Sequence, residues 1–159
     1  MKKIIIVFFC LFLLCSCSSG KEIAPALKGI SFKGVMTHYN EEYSFLAEIG
    51  KEGELKCEMT APDTLKGMVI RVDREGTRVE YKGISYSPVQ GSMPFSAIME
   101  RFYECLLDAM ESDALADEKG VLKTEDYTLT LSPSGLPQKL TIEKDGFYIT
   151  FYNISVKEE

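Results

Sequence analysis

The chain has 159 residues, of which 45% are hydrophobic and 26% are charged, and its formal net charge is −6. This length is enough for one domain with a sizeable core. An acidic chain has no electrostatic footprint for nucleic acid and is repelled by anionic lipid headgroups, so neither is expected to bind it through charge.

The N-terminus has the parts of a secretory signal. The basic pair Lys2-Lys3 precedes an almost uninterrupted apolar run over residues 4–14, and small residues follow at a cleavage position. A membrane-spanning helix needs roughly 20 apolar residues, so this shorter run favours a signal peptide. Loss of the two lysines on cleavage would make the mature chain two charges more acidic.

The end of this signal resembles the bacterial lipobox, which has Leu at −3, a small residue at −1 and Cys at +1. Leu14-Cys15-Ser16-Cys17 departs from that pattern only at Cys15, where Ala, Ser or Thr is usual. The resemblance implies a lipoprotein signal peptide over 1–16 and a Cys17 that carries palmitate-type acyl chains. The protein would then be lipid-anchored on the extracytoplasmic face of the cell membrane. An ordinary cleaved signal is the alternative.

Downstream of the signal, the sequence predicts a lipidated tether over 17–29 and a single domain over 30–157. Cys57 and Cys105 either pair in an oxidising compartment or remain small buried apolar groups, and the second interpretation is favoured. Neither cysteine belongs to a metal-binding or redox motif, so no metal and no cofactor are expected.

Period-two alternation of apolar and polar residues predicts antiparallel strands. The clearest are 43–49 and 55–60, which the glycine-rich turn 50–53 joins as a hairpin. Asp145-Gly146 is the strongest short hairpin signal. The other predicted strands, in chain order, are 31–39, 64–73, 77–81, 84–87, 127–131, 139–144 and 147–156.

The period changes between Pro94 and Met110, where apolar residues recur at the i, i+3, i+4 spacing of an amphipathic helix. Its apolar stripe consists of Phe95, Ile98, Met99, Phe102, Leu106, Ala109 and Met110. Such a stripe must be buried against something, and the apolar face of the predicted sheet is the candidate.

Three short stretches carry a family resemblance: Gly135-Leu136-Pro137 between two late strands, the Phe-Tyr-Asn-Ile run at 151–154, and 80–84 ahead of the helix. With the order of strands and helix over about 30–156, they resemble the LolA-like family of lipoprotein carriers and lipid-binding lipoproteins. The resemblance implies a mainly β (α+β) fold, in which a curved antiparallel sheet forms an unclosed half-barrel and an amphipathic helix covers its concave face. This chain is shorter than the carriers, which would make any cavity shallower.

Two binding functions follow. In the first, the concave face holds a lipid or the acyl chains of another lipoprotein, and burying about 16 carbons at ~0.8 kcal/mol per CH₂ yields roughly 12 kcal/mol gross. In the second, the same side chains are plain core and the domain is a tethered module with a protein partner, as a LolA-like lipoprotein is in clostridial spore germination. The residues predicted to line the cavity, or to fill the core, are Phe45, Met59, Met68, Met99, Phe102 and Phe151.

Catalysis is not expected. His38 is the sole histidine, lies at the end of the first predicted strand, and would have to serve any serine triad or Cys/His pair. No GxSxG, P-loop, HExxH or GxGxxG motif occurs. The sequence therefore predicts a binding protein without enzymatic activity.

Overall fold

A computed structural model describes residues 22–89 and 94–157; the predicted signal peptide and Cys17 lie outside these ranges. The described residues form one helix, α1 (Pro94–Glu111), and ten strands. The strands are β1 (Ile30–His38), β2 (Glu41–Ile49), β3 (Leu55–Ala61), β4 (Val69–Asp73), β5 (Gly76–Tyr81), β6 (Ile84–Tyr86), β7 (Val121–Lys123), β8 (Thr128–Leu131), β9 (Pro137–Ile142) and β10 (Phe147–Val156).

The strands form one antiparallel sheet in the order β6-β5-β4-β3-β2-β1-β10-β9-β8-β7. The first strand thus pairs with the last, and joins two runs of consecutive hairpins. Strands β6 and β7 lie at opposite edges and do not pair with each other, so the sheet is unclosed. The predicted mainly β fold, with an unclosed antiparallel sheet and a helix, is confirmed.

The inner face of the sheet is apolar, as the alternation in the sequence predicts. In β2, Phe45, Ala47 and Ile49 are at most 5% exposed, while the intervening Leu46 is 52% exposed. Gly34 of β1 pairs with Phe45, and a Cβ atom at position 34 would lie 2.3 Å from Cζ of that ring. The missing side chain therefore leaves the space that the Phe45 ring occupies.

Helix α1 covers this inner face. Met99, Phe102 and Leu106 are at most 1% exposed, because the apolar stripe of the helix faces the sheet. Polar contacts fix the C-terminal half of the helix on both sides. Arg74 of the β4–β5 turn pairs with Glu111, and the Tyr127 hydroxyl donates a 2.7 Å hydrogen bond to Asp108.

Burial keeps the two thiols of the domain protonated. Cys57 and Cys105 are both buried and free, so they form no disulfide. Burial raises the pKa of Cys105 to about 12 and that of Cys57 further still. A thiol that stays protonated at neutral pH is a poor nucleophile and a poor metal ligand, so both act as small core groups.

The segment 22–29 packs against the domain. Ile23 and Ala116 exchange two backbone hydrogen bonds of 3.0 and 2.9 Å, and the Ala26 N–H donates to the Gly135 carbonyl at 2.8 Å. Leu27 is 1% exposed. Of the predicted tether, residues 22–29 therefore belong to the folded unit, and 17–21 precede the first described residue.

The chain enters the half-barrel at one end. Ile30, which follows the docked segment, pairs with Ile49 and Val156 at what we call the tether end. At the other end of β1, which we call the far end, His38 pairs with Glu41 and Phe147.

Three local predictions were wrong or incomplete. The strand expected from residue 64 begins only at Val69, because residues 62–67 form turns in which the Leu65 N–H donates to the Pro62 carbonyl. Strand β9 begins at Pro137, two residues before the predicted start. Strand β7 was not predicted, because three residues are too few to display an alternation.

Candidate functional site

The structure brings the six predicted cavity residues together in the core. Phe45, Met59, Met68, Met99, Phe102 and Phe151 are each at most 8% exposed. The Phe102 ring lies 6.2 Å from that of Phe45 and 6.1 Å from that of Phe151, as measured between centroids. None of the six lines the surface pockets described below or the three smaller ones elsewhere on the described residues. Their side chains pack against one another.

A surface recess lies at the far end instead. Two adjoining pockets of about 450 and 370 Å³ share His38 and Ile98. Both volumes lie within the roughly 300–1,000 Å³ that is typical of ligand sites. We call this recess the far-end groove; its lining includes His38, Tyr43, Leu65, Phe95, Ile98 and Phe147.

Aromatic contacts shape one wall of the groove. The Tyr43 ring lies 5.1 Å from the Phe95 ring, which ties β2 to the first turn of α1. The Tyr43 hydroxyl donates a hydrogen bond to the Glu41 carboxylate. That hydrogen bond, together with partial burial, raises the pKa of Tyr43.

An exposed aromatic residue, Tyr39, also lines the groove. Tyr39 and Asn40 form the two-residue turn between β1 and β2, with φ values of 46° and 69°. Asn adopts positive φ readily, whereas a bulky Tyr seldom does. The Tyr39 ring is 74% exposed, lies 4.3 Å from the His38 ring, and would touch a Cβ atom at position 146. The turn therefore holds a large aromatic group in a defined place at the far end.

Ion pairs form the opposite rim. Arg101 of α1 contacts Asp145 with Nε at 3.2 Å, Glu104 with Nη1 at 3.2 Å and Asp126 with Nη2 at 3.5 Å. Burial acts to lower the pKa of Arg101, but the hydrogen bonds with Glu104 and Asp145 outweigh it and raise the pKa. Because acidic side chains already surround this guanidinium, it is not an open site for an anionic headgroup.

The His38 ring contacts the rings of Tyr39 and Phe147, and its side chain makes no hydrogen bond with a described residue. No group of His, Cys, Asp or Glu side chains among residues 22–89 and 94–157 is arranged to hold a metal ion.

Within the same residues, no helix has both the length and the apolar character needed to cross a bilayer.

Sequence reasoning found the core residues but not the groove. Its lining comes from β1, β2, the β3–β4 connection, α1 and β10, which lie far apart in the chain. The one local sequence signal for the groove was His38, the sole histidine of the chain. No protein-family model and no curated protein matched the chain in the searches made.

Proposed function

We propose that this protein is a non-enzymatic lipoprotein, anchored through Cys17 on the extracytoplasmic face of the membrane, that binds a protein partner at the far-end groove. The observation that carries the proposal is the contrast between a filled concave face and an exposed aromatic recess at the end of the barrel. An aromatic cluster with a polar rim is the usual composition of a protein-binding site. The LolA-like fold serves here as a scaffold for that surface.

The position of the groove supports a partner outside the bilayer. At ~3.5 Å per residue, residues 17–21 allow roughly 17 Å between the lipid and the first docked residue. Strand β1 has nine residues, and at ~3.3 Å per residue it spans about 30 Å between the tether end and the far end. A lipid on Cys17 would thus keep the tether end near the membrane and hold the groove away from it.

An amphiphile is the second candidate ligand, and the pocket volumes favour it. A single apolar chain would fit along Ala97 and Ile98 in the pocket of about 450 Å³. The site would be the groove and not the buried core, because the six core side chains fill the concave face.

Site-specific photocrosslinking in the producing cell tests the proposal. A benzophenone amino acid replaces Tyr39 in the groove or, as a matched control, Tyr148, which is 42% exposed on the outer face of β10. We expect a discrete protein adduct from position 39 and none of that size from position 148. Mass spectrometry of the adduct identifies what was captured.

The variant Ile98→Asp adds a second control. It places a charge in the groove at a half-buried position, so we expect the adduct from position 39 to disappear while the protein remains folded. A lipid-sized adduct would support the amphiphile instead. Equal adducts from positions 39 and 148, or an adduct that persists in the Ile98→Asp protein, would refute the groove as the binding site.

A further inference from the structure

Carboxylates outnumber cations around the far-end groove. Glu41 lines its smaller pocket and Asp145 lines its larger one. Among the described residues, the one Lys or Arg in either lining is Arg101, and its guanidinium contacts three carboxylates, those of Asp145 and Asp126 among them. Lys144 also contacts Asp126, at 3.2 Å. With Glu41, four carboxylates stand against these two cations, so the rim favours a cation on a bound partner over an anion.

The charge of Glu41 points into the groove. Glu41 lines the pocket, as does Tyr43 two positions along β2, whereas the intervening Glu42 does not. Side chains two positions apart in a strand share a face, which places Glu41 on the inner side and Glu42 on the outer side. The Tyr43 hydroxyl donates a hydrogen bond to the Glu41 carboxylate. A phenol brings no positive charge, so this bond fixes the carboxylate without neutralising it.

The Tyr39 ring offers a surface for a cation close to these carboxylates. It lines the same pocket as Glu41, and one edge of it would contact a Cβ atom at position 146, next in the chain to Asp145. Most of the ring is exposed. An ammonium or guanidinium group over the face of a Tyr ring is attracted by the negative charge of its π system.

The conformation of Tyr39 does not serve the fold. A bulky side chain at a φ of 46° costs stability, and an exposed ring returns little of that cost by burial. Asn or Gly would make the same turn with less strain. Strained residues cluster at binding sites, where the side chain that they present is needed for recognition.

We propose that the partner segment bound at the far-end groove presents a Lys or Arg beside an apolar side chain. The cation lies over the Tyr39 ring, where Glu41 and Asp145 attract it, and the apolar side chain contacts Ile98 in the adjoining pocket. This inference rests on the proposed function, because it names the chemistry of the partner at the same site. Tyr39 and Glu41 then decide which segment binds.

Peptide titrations followed by NMR test the charge preference. The protein is the chain from residue 18 onward, which keeps every described residue. The probes are the capped peptide Gly-Leu-Arg-Leu-Gly and its versions with Gln or Glu in place of Arg. We expect saturable shifts of the Tyr39 and Asn40 amides and of the Ile98 methyl groups, with a Kd for the Arg peptide in the millimolar range or below. The Glu peptide should bind at least about tenfold more weakly, and the Gln peptide should lie between the two.

The variant Glu41→Gln tests the carboxylate. It keeps an oxygen that can accept the Tyr43 hydrogen bond and removes the charge, so the preference for the Arg peptide over the Gln peptide should shrink severalfold. Glu42→Gln is the matched control, because it removes the same charge from the outer face of β2. It should leave the preference unchanged.

The variant Tyr39→Asn separates recognition from folding. Asn adopts positive φ readily, so the melting temperature should not fall, whereas binding of the Arg peptide should weaken at least about tenfold. Tyr39→Phe keeps the face of the ring and should bind like the wild type. Lys82→Asn is the matched control: Lys82 has a φ of 50° in the β5–β6 turn and does not line the groove, so binding should be unchanged.

Photocrosslinking distinguishes failure of this inference from failure of the proposed function. With benzophenone at Ala97 in the larger pocket, we expect a protein adduct in the cell that Glu41→Gln reduces severalfold and Glu42→Gln does not. An adduct unchanged by Glu41→Gln, or an Arg peptide that binds no better than the Glu peptide, would overturn the inference and leave the groove as a binding site. No adduct from position 97 or 39, or one of lipid size, would overturn both.

Two further results would contradict the role of Tyr39. The first is equal binding of the Arg peptide by the Tyr39→Asn protein. The second is a lower melting temperature of that protein, which would make the ring a structural group.

Discussion

Replacing Phe102 with Asp should abolish stable folding of the domain or lower its free energy of unfolding by at least about 3–5 kcal/mol. Phe102 is 0% exposed and lies between the rings of Phe45 and Phe151. Loss of the ring alone would leave a cavity, and the new carboxylate would be buried without a partner. Since a domain is typically stable by about 5–15 kcal/mol, this loss is a large fraction of the total. Urea unfolding monitored by circular dichroism measures it.

The control for this experiment is Leu115→Asp, which adds the same charge after the end of α1 at a residue that is 46% exposed. We expect its free energy of unfolding to change by less than about 0.5 kcal/mol. If the Phe102→Asp protein melts at the wild-type temperature, the helix does not cover the sheet and the packing described above is incorrect.

Replacing Cys17 with Ala should eliminate the lipidated form of the protein entirely. The lipobox resemblance implies that Cys17 accepts the diacylglyceryl group, and two or more acyl chains are needed to hold a protein stably on a bilayer. We expect only the unprocessed precursor, with residues 1–16 still attached. Intact mass measurement distinguishes the precursor from the lipidated mature protein.

Cys15→Ala is the matched control, because Ala is a usual residue at that lipobox position. It should be processed and lipidated like the wild type. Mature, untethered protein cut at another site in the Cys17→Ala strain would show that the signal is an ordinary one.

Regular alternation made most of the fold predictable. Strands β2 and β3 and helix α1 lie where the sequence placed them, because burial on one face imposes a period that can be read from the residues. The turn of Tyr39 and Asn40 was not predicted, because a Tyr at positive φ gives no sequence signal. Strand β7 was not predicted either, because Leu122 is its one buried residue and a single residue cannot show an alternation.

The candidate site was less predictable than the fold. Inward apolar residues such as Met59 and Phe151 have the same pattern whether they line a cavity or fill a core, so only their packing distinguishes the two. The far-end groove depends on tertiary proximity. His38 and Ile98 lie 60 positions apart in the chain, and no local pattern indicates that they share a pocket.

The substitution Ala47→Trp, studied by melting temperature and by titration with a fluorescent fatty acid, tests the filled core most directly. Ala47 is 5% exposed on the inner face of β2 and pairs with Phe32 and Cys57 of the neighbouring strands. In a filled core the larger ring overpacks, so we expect a loss of about 1–3 kcal/mol and a lower melting temperature. If the wild type binds a fatty acid, Ile98→Asp in the groove should weaken that binding, whereas Ala47→Trp in the core should leave it unchanged. An Ala47→Trp protein that melts at the wild-type temperature but no longer binds fatty acid would contradict the account, because it would place an open lipid cavity beneath the helix.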